Sequence, residues 1–136
     1  TLTQRCFRTN KNEVIVKMNI KGMVDGQKAG LCHYSKSYAM VGVRQSGKDR
    51  NLEFHTNKEK ITGPAIKGNK VWIKSVWGLD GKSQFSYSTD GRKFTPFGEA
   101  YQLEWGYYRG SRIGIYCFNN IVDAGYIDVD EFIYLY

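Results

Sequence analysis

Asp128 and Asp130 are the side chains whose types and spacing come nearest to doing chemistry. Two positions apart on an extended strand, they share a face and stand roughly 6.5 to 7 Å from one another. Hydrolysis of a glycosidic bond needs two carboxyl groups about 5 to 10 Å apart across a cleft, so the spacing permits it. Nothing else on that segment would raise the pKa of either acid, however, and such pairs are common on solvated strands. His33 and His55 have no Cys or His at ligand spacing, so satisfied or surface histidines are the stronger reading than a metal or catalytic site. No serine occupies a nucleophile elbow. The three cysteines, Cys6, Cys32 and Cys117, are odd in number and far apart. They form neither a metal pair nor a complete disulfide framework, and buried free thiols are expected, with one disulfide plus one thiol as the alternative in an oxidising compartment.

The aromatic residues offer different chemistry, that of a flat ring face beside hydrogen-bonding side chains, which is what a sugar ring requires. Trp72 lies between Lys70 and Lys74 on one strand face. Arg112 and Tyr116 share a face of another strand, and with Tyr87 they would extend the platform if their strands were neighbours. Trp77, Trp105, Tyr107 and Tyr108 are strand-end or loop aromatics that would form a rim. The competing reading of each is a core or interface residue, because tryptophan is mostly buried on average.

These side chains must be positioned by strands. Phe85 to Gly98 reads as a β-hairpin turning at Asp90-Gly91, with Phe85 and Tyr87 opposed to Ser86 and Ser88. Val14, Val16, Met18 and Ile20 alternate cleanly, and Val71 and Ile73 oppose Lys70, Trp72 and Lys74. Short apolar segments at 29–34, 38–44, 51–55 and 112–118 complete the pattern. Residues 56–69, with Gly63-Pro64, read as a loop, and 99–110 as a long connection. In the final segment Ile127, Val129, Ile133 and Leu135 oppose Tyr126, Asp128, Asp130, Phe132, Tyr134 and Tyr136. About eight strands separated by turn signals describe an all-β, antiparallel two-sheet β-sandwich of the jelly-roll, lectin-like type, with aliphatic faces inward and mixed aromatic and charged faces outward. Residues 1–136 form one such domain.

The composition agrees with an ordered β protein: 41% hydrophobic, 15 glycines and only two prolines in 136 residues. The net charge of +7 would suit an acidic polysaccharide, nucleic acid or solubility alone. Acids are interleaved with the bases and no run of five like charges occurs, so nucleic acid is not signalled. No apolar run of 18 residues or basic-then-apolar leader is present, so neither a membrane span nor a signal peptide is expected within these residues. The chain starts at Thr1 and is expected to be a trimmed product or a piece of a longer protein.

In this order, Leu2-Thr3-Gln4-Arg5, Gly22-Met23-Val24-Asp25-Gly26 leading to Ala29-Gly30-Leu31, Val41-Gly42-Val43, Phe85-Ser86-Tyr87-Ser88-Thr89-Asp90-Gly91 with Phe94, Arg112-Ile113-Gly114-Ile115, and Val129-Asp130 with Phe132 resemble a known family. It is the C-terminal β-sandwich domain of glycoside hydrolase family 43 β-xylosidases and α-arabinofuranosidases. The resemblance implies a concanavalin-like sandwich behind a catalytic five-bladed propeller that carries the catalytic acids. It also implies N-terminal strands, preceding the Leu-Thr-Gln-Arg stretch in the family, that these residues do not include. The function it implies is a non-catalytic module binding xylan or arabinoxylan in a secreted enzyme, with Trp72, Lys74, Tyr87, Tyr116, Arg112, Trp77 and Tyr108 as the binding residues. The alternative is a structural domain that braces the propeller without affinity for sugar. The expected partners are plant cell-wall polysaccharide and the catalytic domain, with no nucleic acid and no membrane. Lectin-like sandwiches also often hold calcium on a terminal strand, which makes Asp130, with Asp128 and Asp25, the candidate ligands of a structural calcium ion, the only cofactor expected.

Overall fold

The computed structural model describes residues 2–103, 111–119, 121 and 124–136. The alternation of Val14, Val16, Met18 and Ile20 builds β2 (Asn12–Asn19) and its exit, and all four side chains are fully buried. On one side β2 pairs with β7 (Lys70–Trp77), which turns Val71, Ile73, Ser75 and Trp77 inward; on the other it pairs with β12 (Asp128–Leu135). Beyond β7 come β8 (Lys82–Ser88) and two short strands that both pair with it, β9 (Thr95–Pro96) and β10 (Tyr101–Gln102). We call this layer the β2 sheet. The facing layer, the β3 sheet, runs in the order β1 (Leu2–Arg5), β11 (Arg112–Asn119), β3 (Gln27–Tyr34), β4 (Tyr38–Ser46), β5 (Asp49–Thr56) and β6 (Lys60–Ala65). Every pairing in the described residues is antiparallel.

Leu31, Val41, Leu52, Phe54 and Ile113 from the β3 sheet meet Val16, Ile73 and Phe85 from the β2 sheet in one apolar layer. Burial of each such side chain contributes about 1.5 to 3 kcal/mol relative to leaving it exposed. One polar chain crosses this layer. His33 Nε2 lies 2.6 Å from Ser75 Oγ, which lies 2.7 Å from Ser83 Oγ, while His33 Nδ1 is 3.5 Å from Cys6 Sγ. Trp77, Phe85 and Tyr101 enclose the imidazole.

Five local expectations are corrected by the structure. Part of the 56–69 segment is strand: β6 pairs with β5 through a bulge between Asn51 and Glu53, and as an edge strand it accommodates Gly63 and Pro64. The connection after Gly98 likewise contains β10. In β12 a bulge between Val129 and Glu131 adds one residue, and because strand side chains alternate with period two, every later side chain changes face. Phe132 and Tyr134 therefore pack on the core, while Ile133 and Leu135 point outward at 40% and 52% exposure. The same bulge breaks the shared face expected for Asp128 and Asp130. Finally, the Asp90-Gly91 reversal is not a two-residue turn, since Tyr87 already pairs with Thr95 and a longer loop lies between. The Asp90 carboxylate organises that loop, accepting from Arg92 N–H at 2.8 Å, Lys93 N–H at 3.0 Å and Ser88 Oγ at 2.8 Å, and these bonds hold its pKa down at about 2.

Candidate carbohydrate-binding surface

The residues expected to bind sugar do not form one platform, because β7 and β11 belong to different sheets. Trp72 and Lys74 lie on the outer face of the β2 sheet, and both are already engaged. A Cβ added at Gly91 would stand 2.8 Å from Trp72 Cε2, so the Ser88–Lys93 loop lies against the indole, and Lys17 Nζ is 5.3 Å from the ring. Lys74 Nζ is 4.1 Å from the Phe94 ring and 3.6 Å from Glu13 Oε1. Tyr87 pairs with Ile73 and so turns toward the core, where it meets Phe97 edge-on. Trp77, expected at a rim, is instead 2% exposed, with its indole N–H donated to the Phe7 carbonyl at 2.9 Å, and it offers no ring face to a ligand. Its inward position follows from the register of β7, in which Val71, Ile73, Ser75 and Trp77 share a face. Tyr108, like Trp105 and Tyr107, lies outside the described residues.

Arg112 and Tyr116 are together on the outer face of the β3 sheet, and there the register assembles a surface that the sequence alone left unnoticed. Across the strands, Tyr116 is in line with Gly30, Gly42, Glu53 and Thr62. Adjacent rows align Gly114, Cys32, Met40, His55 and Lys60 on one side and Phe118, Lys28, Arg44 and Asn51 on the other. Glycine is required at the centre: a side chain on Gly42 would collide with the Ala29 carbonyl and the Tyr116 hydroxyl, and one on Gly30 would stand 2.9 Å from that hydroxyl. The phenol thus lies down across both glycines, and burial raises its pKa well above the usual range. Phe118 continues the aromatic strip at 5.9 Å from Tyr116 and is 40% exposed. At the other border Tyr38 meets His55 edge-on at 5.5 Å. Arg112 is held across the strand gap by Thr3, whose Oγ1 accepts from Nε at 3.2 Å and Nη2 at 3.0 Å.

Glu53 lies in the middle of this face at 5% exposure. Its Oε1 accepts from Lys28 Nζ at 2.7 Å, whereas its Oε2 makes no hydrogen bond and is approached at 3.7 Å by Arg44 Nη1 and Lys60 Nζ. His55 beside it is pushed down, first by burial and then by the Lys28 charge. Next to Tyr38 the face adjoins a groove of about 430 Å³ whose walls include Ser37, Asn57, Glu59, Glu99 and Tyr101. The Tyr101 hydroxyl is 3.0 Å from Ser37 Oγ, and Glu59 is raised above the ordinary carboxylate range by desolvation and by the neighbouring Glu99. Among the described residues no three His, Cys, Asp or Glu side chains converge as a metal site. Asp25, considered with Asp128 and Asp130 as a calcium ligand, accepts the Gly47 N–H at 2.7 Å.

A lysine at 28 and a glutamate at 53 are buried outside the hydrophobic core, and the sequence pattern gave little warning of either. The signal that would have found them is the period-two alternation Lys28, Gly30, Cys32, Tyr34 along β3, set beside Gly42 on β4.

Residues 1–135 match the family described as "Beta xylosidase C-terminal Concanavalin A-like domain". A β-xylosidase from Formosa agariphila is 33% identical over 138 residues, which take in all of this chain and 23% of that protein. A putative β-xylosidase from Xylanibacter ruminicola is 29% identical over 84% of this chain and 20% of its own length. Among solved structures, a family 43 glycoside hydrolase engineered for endo-xylanase and exo-arabinofuranosidase activity superposes with a TM-score of 0.81 at 22% identity, over 92% of this chain and 29% of that one. The family 43 protein BlXynB of Bacillus licheniformis superposes with a TM-score of 0.75 at 17% identity, over 93% and 27%. The chain spans about a quarter of the length of these proteins. It belongs to the family of C-terminal concanavalin A-like domains of β-xylosidases, and corresponds to the non-catalytic part of glycoside hydrolases of family 43.

Proposed function

We propose that this domain is a carbohydrate-binding accessory to the catalytic part of a secreted glycoside hydrolase, and that it holds xylan or arabinoxylan on the outer face of the β3 sheet. The observation that carries this reading is the glycine-floored strip beneath Tyr116, flanked by Phe118 and Tyr38 and by the polar side chains of Lys28, Arg44, His55 and Arg112. A polysaccharide chain needs aromatic faces for its C–H groups and donors for its hydroxyls. Tyr116 itself is 7% exposed and forms the floor, so the accessible rings on this face are Phe118 and the half-buried Tyr38, and the accessible donors are Arg44, Lys60 and Arg112. The matched relatives are β-xylosidases, which supports a xylan-type ligand. Calorimetric titration with xylo-oligosaccharides, arabinoxylan and a cello-oligosaccharide control tests the reading. Binding of the xylans that weakens about tenfold in Phe118→Ala, in line with loss of one aromatic contact, supports it. No binding to any xylan overturns it.

A second reading, a bracing domain without sugar affinity, is favoured by the opposite outer face. There Ile133 and Leu135, turned out by the β12 bulge, are exposed, Ile133 in register with Ile15 and Leu135 with Glu13 of β2, which makes a small apolar patch bordered by charge. If that patch seats the catalytic domain, Ile133→Glu lowers the melting temperature of the full-length enzyme while leaving that of the isolated 136-residue chain almost unchanged. Equal shifts in both would exclude docking at this patch.

A further inference from the structure

The outer face of the β3 sheet is strongly charged as well as flat. Arg5 and Arg112 pair directly across β1 and β11, Lys28 and Arg44 pair across β3 and β4, and Lys60 closes the adjoining row on β6. Against these five cations the paired rows from Arg112 to Phe118 hold one carboxylate among the described residues, that of Glu53. The surplus is more than half of the net +7 of the whole chain. Acids near the face stand beyond its ends, Asp49 at the β4–β5 turn and Glu59 with Glu99 at the adjoining groove.

Building on the glycan-binding reading of this face, we propose that its cations recognise the carboxylates of a uronate-bearing polysaccharide, with Arg44 and Lys60 as the principal contacts. Glu53 is the organising group. With one oxygen taken by Lys28 at 2.7 Å, its other oxygen draws Arg44 and Lys60 to 3.7 Å without forming a hydrogen bond to either. Both cations keep more than 40% of their side-chain surface exposed. Both nitrogens thereby gather around one buried oxygen, partly neutralised against mutual repulsion, on side chains that stay accessible to a ligand. A carboxylate arriving between them gains charge-assisted hydrogen bonds that Glu53 cannot supply from below. Arg112, clamped by Thr3, is a second fixed guanidinium on the same face, suited to another acidic substituent farther along the chain. A bare basic patch would attract any polyanion, but the Tyr116 floor over Gly30 and Gly42, with the exposed Phe118 ring at its border, suits a flat sugar backbone beside these cations, so charge and shape together favour an acidic glycan.

The test is titration of the chain with a glucuronate-substituted xylo-oligosaccharide, the same oligosaccharide after reduction of its carboxyl group, and an unsubstituted xylo-oligosaccharide. Each is measured at low and at high salt, in wild type and in Arg44→Gln/Lys60→Gln. The acidic ligand is expected to bind about tenfold more tightly than its reduced form, as charge-assisted hydrogen bonds require. That advantage should disappear in the double variant and near 1 M salt, where screening reaches about 3 Å. Equal affinity for the acidic and reduced forms, or an advantage that survives in the double variant, overturns the proposal while leaving neutral xylan binding in place. No binding of any of the three overturns the underlying glycan-binding reading as well.

Discussion

Acidification should destabilise this domain chiefly through His33, with a smaller contribution of the same sign from His55. The His33 imidazole is wholly buried between the sheets, and desolvation pushes its pKa down to about 3 from the ordinary 6.5. A histidine depressed in this way stays neutral in the folded protein while the unfolded chain takes up a proton below pH 6.5, so the unfolded state binds more protons and stability falls as pH falls. Its contribution is intact above pH 6.5 and is lost progressively toward pH 3. At 1.36 kcal/mol per pKa unit, the loss is about 2 kcal/mol by pH 5 and roughly 4 to 5 kcal/mol at the acid limit. That is a large fraction of the 5 to 15 kcal/mol typical of a domain. Urea unfolding monitored by tryptophan fluorescence at pH 8, 7, 6, 5 and 4 measures the slope. His33→Gln should be less stable at pH 8, because it disturbs the bond to Ser75 and the ring contacts, but its profile between pH 7 and 5 should be clearly shallower than that of wild type, with His55 supplying the slope that remains. Asp90, whose carboxylate is held by backbone N–H groups, acts in a separate window. Its folded pKa of about 2 confers stability that is present above 3.8 and lost only below it. A wild-type slope between pH 7 and 5 equal to that of His33→Gln would refute the assignment of acid sensitivity to His33.

Other outcomes follow from the same contacts. Gly42→Ala drives a methyl into the Ala29 carbonyl and the Tyr116 hydroxyl, and thermal unfolding should show a loss of about 2 to 3 kcal/mol, with glycan affinity reduced as Tyr116 is lifted. Lys28→Ala leaves the Glu53 carboxylate buried without its short partner and should cost about 3 kcal/mol in urea unfolding, much of it recovered in Lys28→Met/Glu53→Leu. Trp72→Ala should leave xylan affinity unchanged while lowering stability by about 1 to 3 kcal/mol, because the indole supports the Ser88–Lys93 loop on the sheet opposite Tyr116. A calorimetric loss of affinity in a folded Trp72→Ala domain would move the binding surface to the β2 sheet.

What could be read from the chain beforehand was whatever depends on period-two alternation within a strand. Val14 to Ile20 and Val71 to Trp77 declare their inward faces, and two layers follow from the number of such strands. What could not be read was whatever depends on register between strands or on one extra residue within a strand. The bulge in β12 exchanges the faces of Phe132 to Leu135, although the alternation itself is intact, because nothing in Asp130-Glu131 marks the insertion. The glycine-floored face proposed as the binding surface was hidden for a related reason. Lys28, Gly30, Gly42, Glu53 and Tyr116 are scattered over four strands and 89 positions of sequence, and each is unremarkable on its own strand. Only the pairing of Tyr116 with Gly30, of Gly30 with Gly42 and of Gly42 with Glu53 puts an aromatic ring, a glycine floor and a buried carboxylate in one row. Trp72 stood out in the sequence because tryptophan between lysines is conspicuous within a single strand. The sheet order shows what a single strand cannot, since a surface is a property of neighbouring strands, and the neighbours of Trp72 are Lys17 on one side and Ser88, at the start of the Gly91 loop, on the other.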